Sequence, residues 1–108
     1  MATTLPEGVT LVDHPLVHVK LARLREQSTP STDFRRKLSE LASLLMFEAT
    51  RDLPTLPTEV QTPLALCAGK RLARPVILAP ILRAGLGMIE GMSHVLSDVS
   101  IGHIGMFR

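Results

Sequence analysis

Tryptophan and tyrosine are absent from the 108 residues, and three phenylalanines supply all the aromatic side chains. So sparse a set argues against a nucleic-acid surface built on stacked aromatic platforms. There is one cysteine, Cys67, which excludes an internal disulfide and suits a reducing compartment. Among Leu64, Leu66 and Ala68, its thiol reads as a packing group and not as a nucleophile. No uncharged run approaches the length of a membrane span, and the opening segment MATTLPEGVTLVDHP lacks the basic and apolar regions of a secretory signal. Nor is there an excess of one charge. The 12 Lys and Arg residues are scattered among 10 Asp and Glu, for a formal net charge of +2. The expectation is a soluble, cytoplasmic protein with no membrane and no nucleic-acid partner.

With 45% apolar and 20% charged residues the chain has the composition of a globular protein, and its length suits one domain with a modest core. A first helix is expected from His14–Leu16 to about Gln27, with Asp13 or His14 as cap, Pro15 in the first turn, and Leu16, Leu21 and Leu24 on its apolar face. Gln27-Ser28-Thr29-Pro30 breaks it. Ser31 is placed to cap a second helix, with Asp33 complementing the dipole. Phe34, Leu38, Leu41, Leu45 and Ala49 fall at steps of four, three, four and four, an amphipathic stripe, and Arg36 and Glu40 stand four apart outside it. Pro54 and Pro57 end that helix, and residues 58–74 read as short strands or a hairpin.

The densest information lies in PVILAPILRAGLGMIEG, residues 75–91. Val76, Ile77, Leu78, Ile81 and Leu82 make a short strand of the kind buried on both faces. Gly85 and Gly87, without a Cβ, allow a tight turn and close approach to a ligand. Met88, Ile89, Met92 and Val95 then recur at helical spacing, so a helix starts around Ala84–Leu86. A helix N-terminus presents backbone amides that suit an anion, and Arg83 adds a positive charge beside them. The final segment VSIGHIGMFR, residues 99–108, is a second apolar stretch ending on Arg108. Strand, helix and strand make a βαβ unit, whose crossover sets the strands parallel. Arg83 and Arg108 then share the carboxyl edge of the sheet, where open α/β folds bind ligands. Two guanidiniums there fit a diphosphate. The plainer reading is that each arginine merely ends a strand and pairs on the surface.

Other motifs are weaker. His14 and His18 stand four apart, a zinc spacing, but lack an evident third ligand, so no metal site is assigned. His103 reads as a hydrogen-bonded core or interface histidine. Gly69-Lys70 fails as a nucleotide phosphate loop, because Leu64 stands where its first glycine belongs. GLGMIEG, with Gly85, Gly87 and Gly91, is one residue longer than the dinucleotide fingerprint, and Gly105 to Arg108, where an acidic ribose ligand belongs, offers no acid, although an arginine there could meet a ribose phosphate. An NADP-binding βαβ unit is thus the competing reading.

Four segments in order resemble the amino-terminal half of uracil phosphoribosyltransferase: DHPLVHVKLARLRE at 13–26, TDFRRKLSELASLLMFEATRDLP at 32–54, PILRAGLGMIEG at 80–91 and GHIGMFR at 102–108. The resemblance implies a parallel sheet flanked by helices, of the type I phosphoribosyltransferase kind, with an N-terminal helical pair. It implies formation of UMP and diphosphate from uracil and phosphoribosyl diphosphate, with Mg²⁺ bound to the diphosphate substrate, in a homodimer or higher homo-oligomer. Arg83 and Arg108 correspond to substrate-gripping arginines, and Leu82–Arg83 is the candidate for a cis peptide bond. No catalytic residue is assigned. The family continues beyond the point matching Arg108, so the expectation is a single partial domain truncated after the first βαβ unit. In it, residues 13–53 form the helical pair, residues 54–108 begin the core, and the chain is inactive alone. A non-catalytic packing or regulatory subunit is the second alternative.

Overall fold

A computed structural model describes residues 4–96 and 99–105 of the chain. Two helices come first, α1 (Pro15–Arg25) and α2 (Ser31–Ala49). An antiparallel hairpin follows, β1 (Thr55–Gln61) and β2 (Leu66–Leu72), paired from Thr55↔Leu72 to Gln61↔Leu66. Then come two short strands, β3 (Ile77–Leu78) and β4 (Ile81–Leu82), the helix α3 (Leu86–Val95), and β5 (Ser100–Ile101) and β6 (Ile104–Gly105). β3 pairs with β5, and β4 with β6, both parallel. The class is α/β, and the expected parallel crossover and hairpin are both present.

The break between β3 and β4 has a covalent cause. The amides of Ser100, Gly102 and Ile104 donate to the carbonyls of Val76, Leu78 and Pro80. In that register the next rung requires an amide at residue 80 reaching Gly102, and proline has none. Side chains alternate along this strand. Leu78 and Pro80 are buried and Leu82 half-buried, while Ile77 and Ile81 are 67% and 50% exposed. Burial on both faces, as expected from the apolar run, is therefore not what the chain achieves: one face is covered and the other is bare.

His14 caps α1, its Nδ1 accepting from the Leu16 amide at 3.1 Å, with Pro15 in the first turn. The face that α1 turns inward is Val17, Lys20 and Leu24, not Leu16 and Leu21, which stay exposed. Lys20 belongs on that face because its stem packs while its ammonium reaches Glu40 of α2 at 2.6 Å. Glu40 also takes Lys37, so the expected Arg36–Glu40 pair gives way to these two lysines. Arg23 adds a second tie, to Asp33 at 2.7 Å and Glu26 at 2.6 Å. Ser31 does not cap α2. The helix starts from Pro30, whose carbonyl accepts from Phe34 N–H, with no side-chain cap bond. Of the expected stripe Leu41 is buried, together with Ala42 and Met46, whereas Phe34 and Ala49 at its ends are exposed.

α2 and α3 meet at backbone distance. A Cβ added at Gly91 would lie 1.8 Å from the Ser39 carbonyl oxygen, and one at Gly87 would lie 2.8 Å from Leu38 Cδ2. Among the described residues the buried apolar core is small: Val17, Leu41, Ala42, Met46 and Leu78. The Cα radius of gyration is 17.6 Å, against about 13 Å for a compact domain of this size. Cys67 sits exposed on the hairpin, contrary to a packing role, because β1 and β2 pair with each other and little else covers them.

Two outcomes follow from this packing. Hydrogen bonds from Arg23 hold Asp33 and Glu26, and one from Lys20 holds Glu40, below the ordinary carboxylate range. A lowered folded-state pKa stabilises above the unfolded value and is lost on acidification, so the melting temperature should fall as the pH drops through and below the ordinary carboxylate range of about 4. The fall should be smaller in Arg23→Gln; a fall of equal size in that variant counts against the ion pairs as its source. Gly91→Ala should lower stability by about 1–3 kcal/mol, read from thermal melts. An unchanged melting point would mean the helices are not seated as described.

Candidate functional site

Arg83 leaves the carboxyl end of β4 on a tight turn, exposed, after a Leu82–Arg83 peptide that is cis as the resemblance implied. The turn is wound closely. Gly85 N–H donates to Ile81 O at 2.8 Å, and the amides of Leu86, Gly87 and Met88 donate to the carbonyls of Arg83, Ala84 and Gly85 at 3.0, 3.3 and 3.2 Å. The first amides of α3, expected from the sequence to point outward, thus turn back on the chain, since a tight first turn uses the donors that a helix start otherwise leaves over. Among the described residues of this turn, the amides of Arg83 and Ala84 are the ones without a backbone acceptor. The Gly85 amide, at the helix start expected to face an anion, is engaged by Ile81 O.

The glycines of GLGMIEG do different work from that expected. Gly85 has an ordinary φ of −63°, but a Cβ there would stand 2.8 Å from both the nitrogen and the oxygen of Ile81. Space, and not dihedral freedom, requires glycine at this corner. Gly87 and Gly91 serve the contact with α2 instead of a ligand. Two glycines of the dinucleotide-like spacing are therefore occupied by helix packing.

The charge at the turn is available. Arg23, Arg51, Lys20 and Lys37 all hold carboxylates. Among the described residues Arg83 has no carboxylate within ion-pair distance, which it shares with Arg25, Arg35, Arg36, Lys70, Arg71 and Arg74; its place at the carboxyl end of a parallel strand sets it apart. An exposed guanidinium there, beside two amides that find no backbone acceptor among the described residues, can receive a phosphate or diphosphate oxygen. Arg108 lies outside the described residues, so its distance from Arg83 is not part of this geometry; β6, which precedes it, runs parallel to β4.

Other sequence candidates fall elsewhere. His14 is the α1 cap and His18 Nε2 meets Asp13 Oδ1 at 2.6 Å. Among the described residues no group of three or more His, Cys, Asp or Glu side chains is placed to hold a metal ion. His103 is exposed between β5 and β6, not in a core. An open depression of about 510 Å³ is lined by Thr10, Val12, Leu45, Glu48, Ala49, Arg51 and Asp52, all remote in sequence from the Arg83 turn. Its single bidentate pair, Arg51–Glu48, gives it no unsatisfied cation. The reading of the residues missed Ser39 and Ser43 of α2. The signal was present: serines four apart on one helix, glycines four apart (Gly87 and Gly91) on another.

A family model described as uracil phosphoribosyltransferase matches residues 11–108. Uracil phosphoribosyltransferase of Dictyoglomus turgidum is 50% identical over 101 residues, covering 93% of this chain and 49% of that protein. The Kocuria rhizophila protein of the same name is 52% identical over 101 residues, covering 93% and 48%. The solved structure of AQ2163 protein from Aquifex aeolicus superposes with a TM-score of 0.86 at 32% identity, over 92% of this chain and 48% of that one. The chain spans about half the length of the curated relatives it matches. On the family match, which takes in both the helical pair and the Arg83 turn, this chain belongs to the uracil phosphoribosyltransferase family.

Proposed function

We propose that the chain supplies the diphosphate-gripping part of a uracil phosphoribosyltransferase, which joins uracil to phosphoribosyl diphosphate and releases diphosphate to give UMP. The observation that carries this reading is the place of Arg83, exposed at the carboxyl end of β4 with no carboxylate partner among the described residues, inside a segment that matches the family. Glycosyl transfer of this kind passes through an oxocarbenium-like transition state, with negative charge growing on the departing group. A preoriented guanidinium stabilises that charge more in the transition state than in the ground state. Arg83 takes this role, with Arg108 as its partner and the Ala84 amide as a lesser donor. Magnesium would be held by the diphosphate substrate and not by a carboxylate cluster among the described residues, and would help neutralise the departing group.

The finer expectations belong to the same proposal. The fold is read as the first βαβ part of a type I phosphoribosyltransferase sheet. Uracil recognition is not assigned to any residue here. A homodimer or higher homo-oligomer in the cytoplasm fits the exposed Leu56, Val60 and Leu66 of the hairpin and the lack, among the described residues, of a helix able to cross a membrane.

Arg83→Ala should weaken binding of inorganic diphosphate or phosphoribosyl diphosphate to this chain about tenfold or more, one charge-assisted contact's worth. Calorimetric titration checks it, and equal affinity in the variant rejects the role. The purified 108-residue chain should form no UMP from uracil and phosphoribosyl diphosphate. Turnover by it would show that the described half already holds a complete site.

A further inference from the structure

Ser43 stands on α2, 48 residues before Gly91, and joins the two helices by its side chain. Its Oγ lies 2.7 Å from the Gly91 carbonyl oxygen of α3 and 3.1 Å from the Ser39 carbonyl oxygen of its own helix. A hydroxyl has one hydrogen, and the shorter, interhelical contact is the better claimant. The contact sits where the backbones come closest, beside the Gly91–Ser39 approach that admits no Cβ. Sliding α3 along α2 would break this bond and drive Gly91 against Ser39.

The head of α3 is also the Arg83 turn. Leu86 N–H donates to the Arg83 carbonyl and Gly85 N–H to the Ile81 carbonyl, so no slack chain separates the helix from the guanidinium. Gly87, one residue into α3, rests on Leu38 of α2.

We infer that Ser43 is a positioning residue for Arg83: its hydroxyl sets where α3 sits on α2, and α3 in turn sets the direction in which the turn presents the guanidinium to a diphosphate. The ligand half of this statement rests on the proposed function; the mechanical half rests on geometry alone.

The test uses the full 108-residue chain as wild type, Ser43→Ala, Ser43→Thr and Arg83→Ala, with amide hydrogen exchange and calorimetric titration of inorganic diphosphate. Ser43→Ala should speed exchange at residues 85–88, whose amides are hydrogen-bonded, about tenfold, the loss of one hydrogen bond's protection, while hairpin amides keep the wild-type rate. It should also raise the diphosphate Kd about threefold or more, within the range of one weakened contact. Ser43→Thr, which keeps the hydroxyl, should restore both. Arg83→Ala should raise the Kd and leave the exchange pattern alone. The inference is overturned if Ser43→Ala leaves residues 85–88 at wild-type exchange, if exchange rises equally through α1, α2 and the hairpin, if Kd is unmoved while wild type binds, or if threonine fails to rescue. If wild type binds no diphosphate, the proposed function fails for this chain and exchange decides alone. A local rise rescued by threonine then sustains the seat of α3, and any other pattern ends it.

Discussion

The close approach of α2 to α3 joins the helical half of this molecule to its parallel strands. A crossover helix is usually held by a broad apolar face, but here Gly91 brings backbone against the backbone of Ser39, Gly87 makes room for the Leu38 side chain, and one serine hydroxyl spans the gap. At Gly91 the contact tolerates little displacement, because its distances are set by main-chain atoms and not by side chains that can change rotamer. The position of α3 fixes the turn before it, and the turn carries the arginine. The active-site proposal therefore depends on a helix–helix interface that contains none of the reacting groups.

Much of the fold could be read along the chain, and the reasons are local. Pro15 and His14 mark the start of α1, the Gln27–Pro30 break separates the helices, and the Val76–Leu82 run followed by glycines specifies strand, turn and helix. What could not be read was set by tertiary partners. Glu40 has a suitable neighbour in Arg36 on its own helix but meets Lys20 from another. The three glycines look alike in sequence. One serves a corner and two serve a helix seat, and the difference appears only when α2 is in place. At the site, Arg83 was identifiable because an arginine closes an apolar strand and opens a glycine turn. Ser43 was missed, since its spacing from Ser39 gains meaning only against Gly87 and Gly91 of another helix, a pairing that tertiary structure sets.

The chain leaves a large share of its apolar residues uncovered. Ile77, Ile81 and Ile104 lie along the bare side of the parallel ladder, and Leu64 at the hairpin tip is 97% exposed. Those surfaces and the half-length match to the relatives are consistent with each other: a sheet of this kind is normally covered on both sides, and the matched segment provides cover for one. The ion pairs of Arg23 and Lys20 tie α1 to α2 but do nothing for the sheet, so the two ends of the molecule are held by different physics.

Pro80 adds an asymmetry to the strand it interrupts. Even-numbered residues there direct their main-chain polar groups toward β5 and β6, so the proline subtracts its missing donor from the inner ladder alone. Odd-numbered Ile77 and Ala79 face the opposite rail with donors and acceptors intact, at the same phase as the bare isoleucine side chains. The outer rail is thus regular only over Ile77 and Ala79, between Pro75, which has no amide, and Ile81, whose carbonyl Gly85 N–H already occupies, so a newcomer strand aligning there would find a template two rungs long.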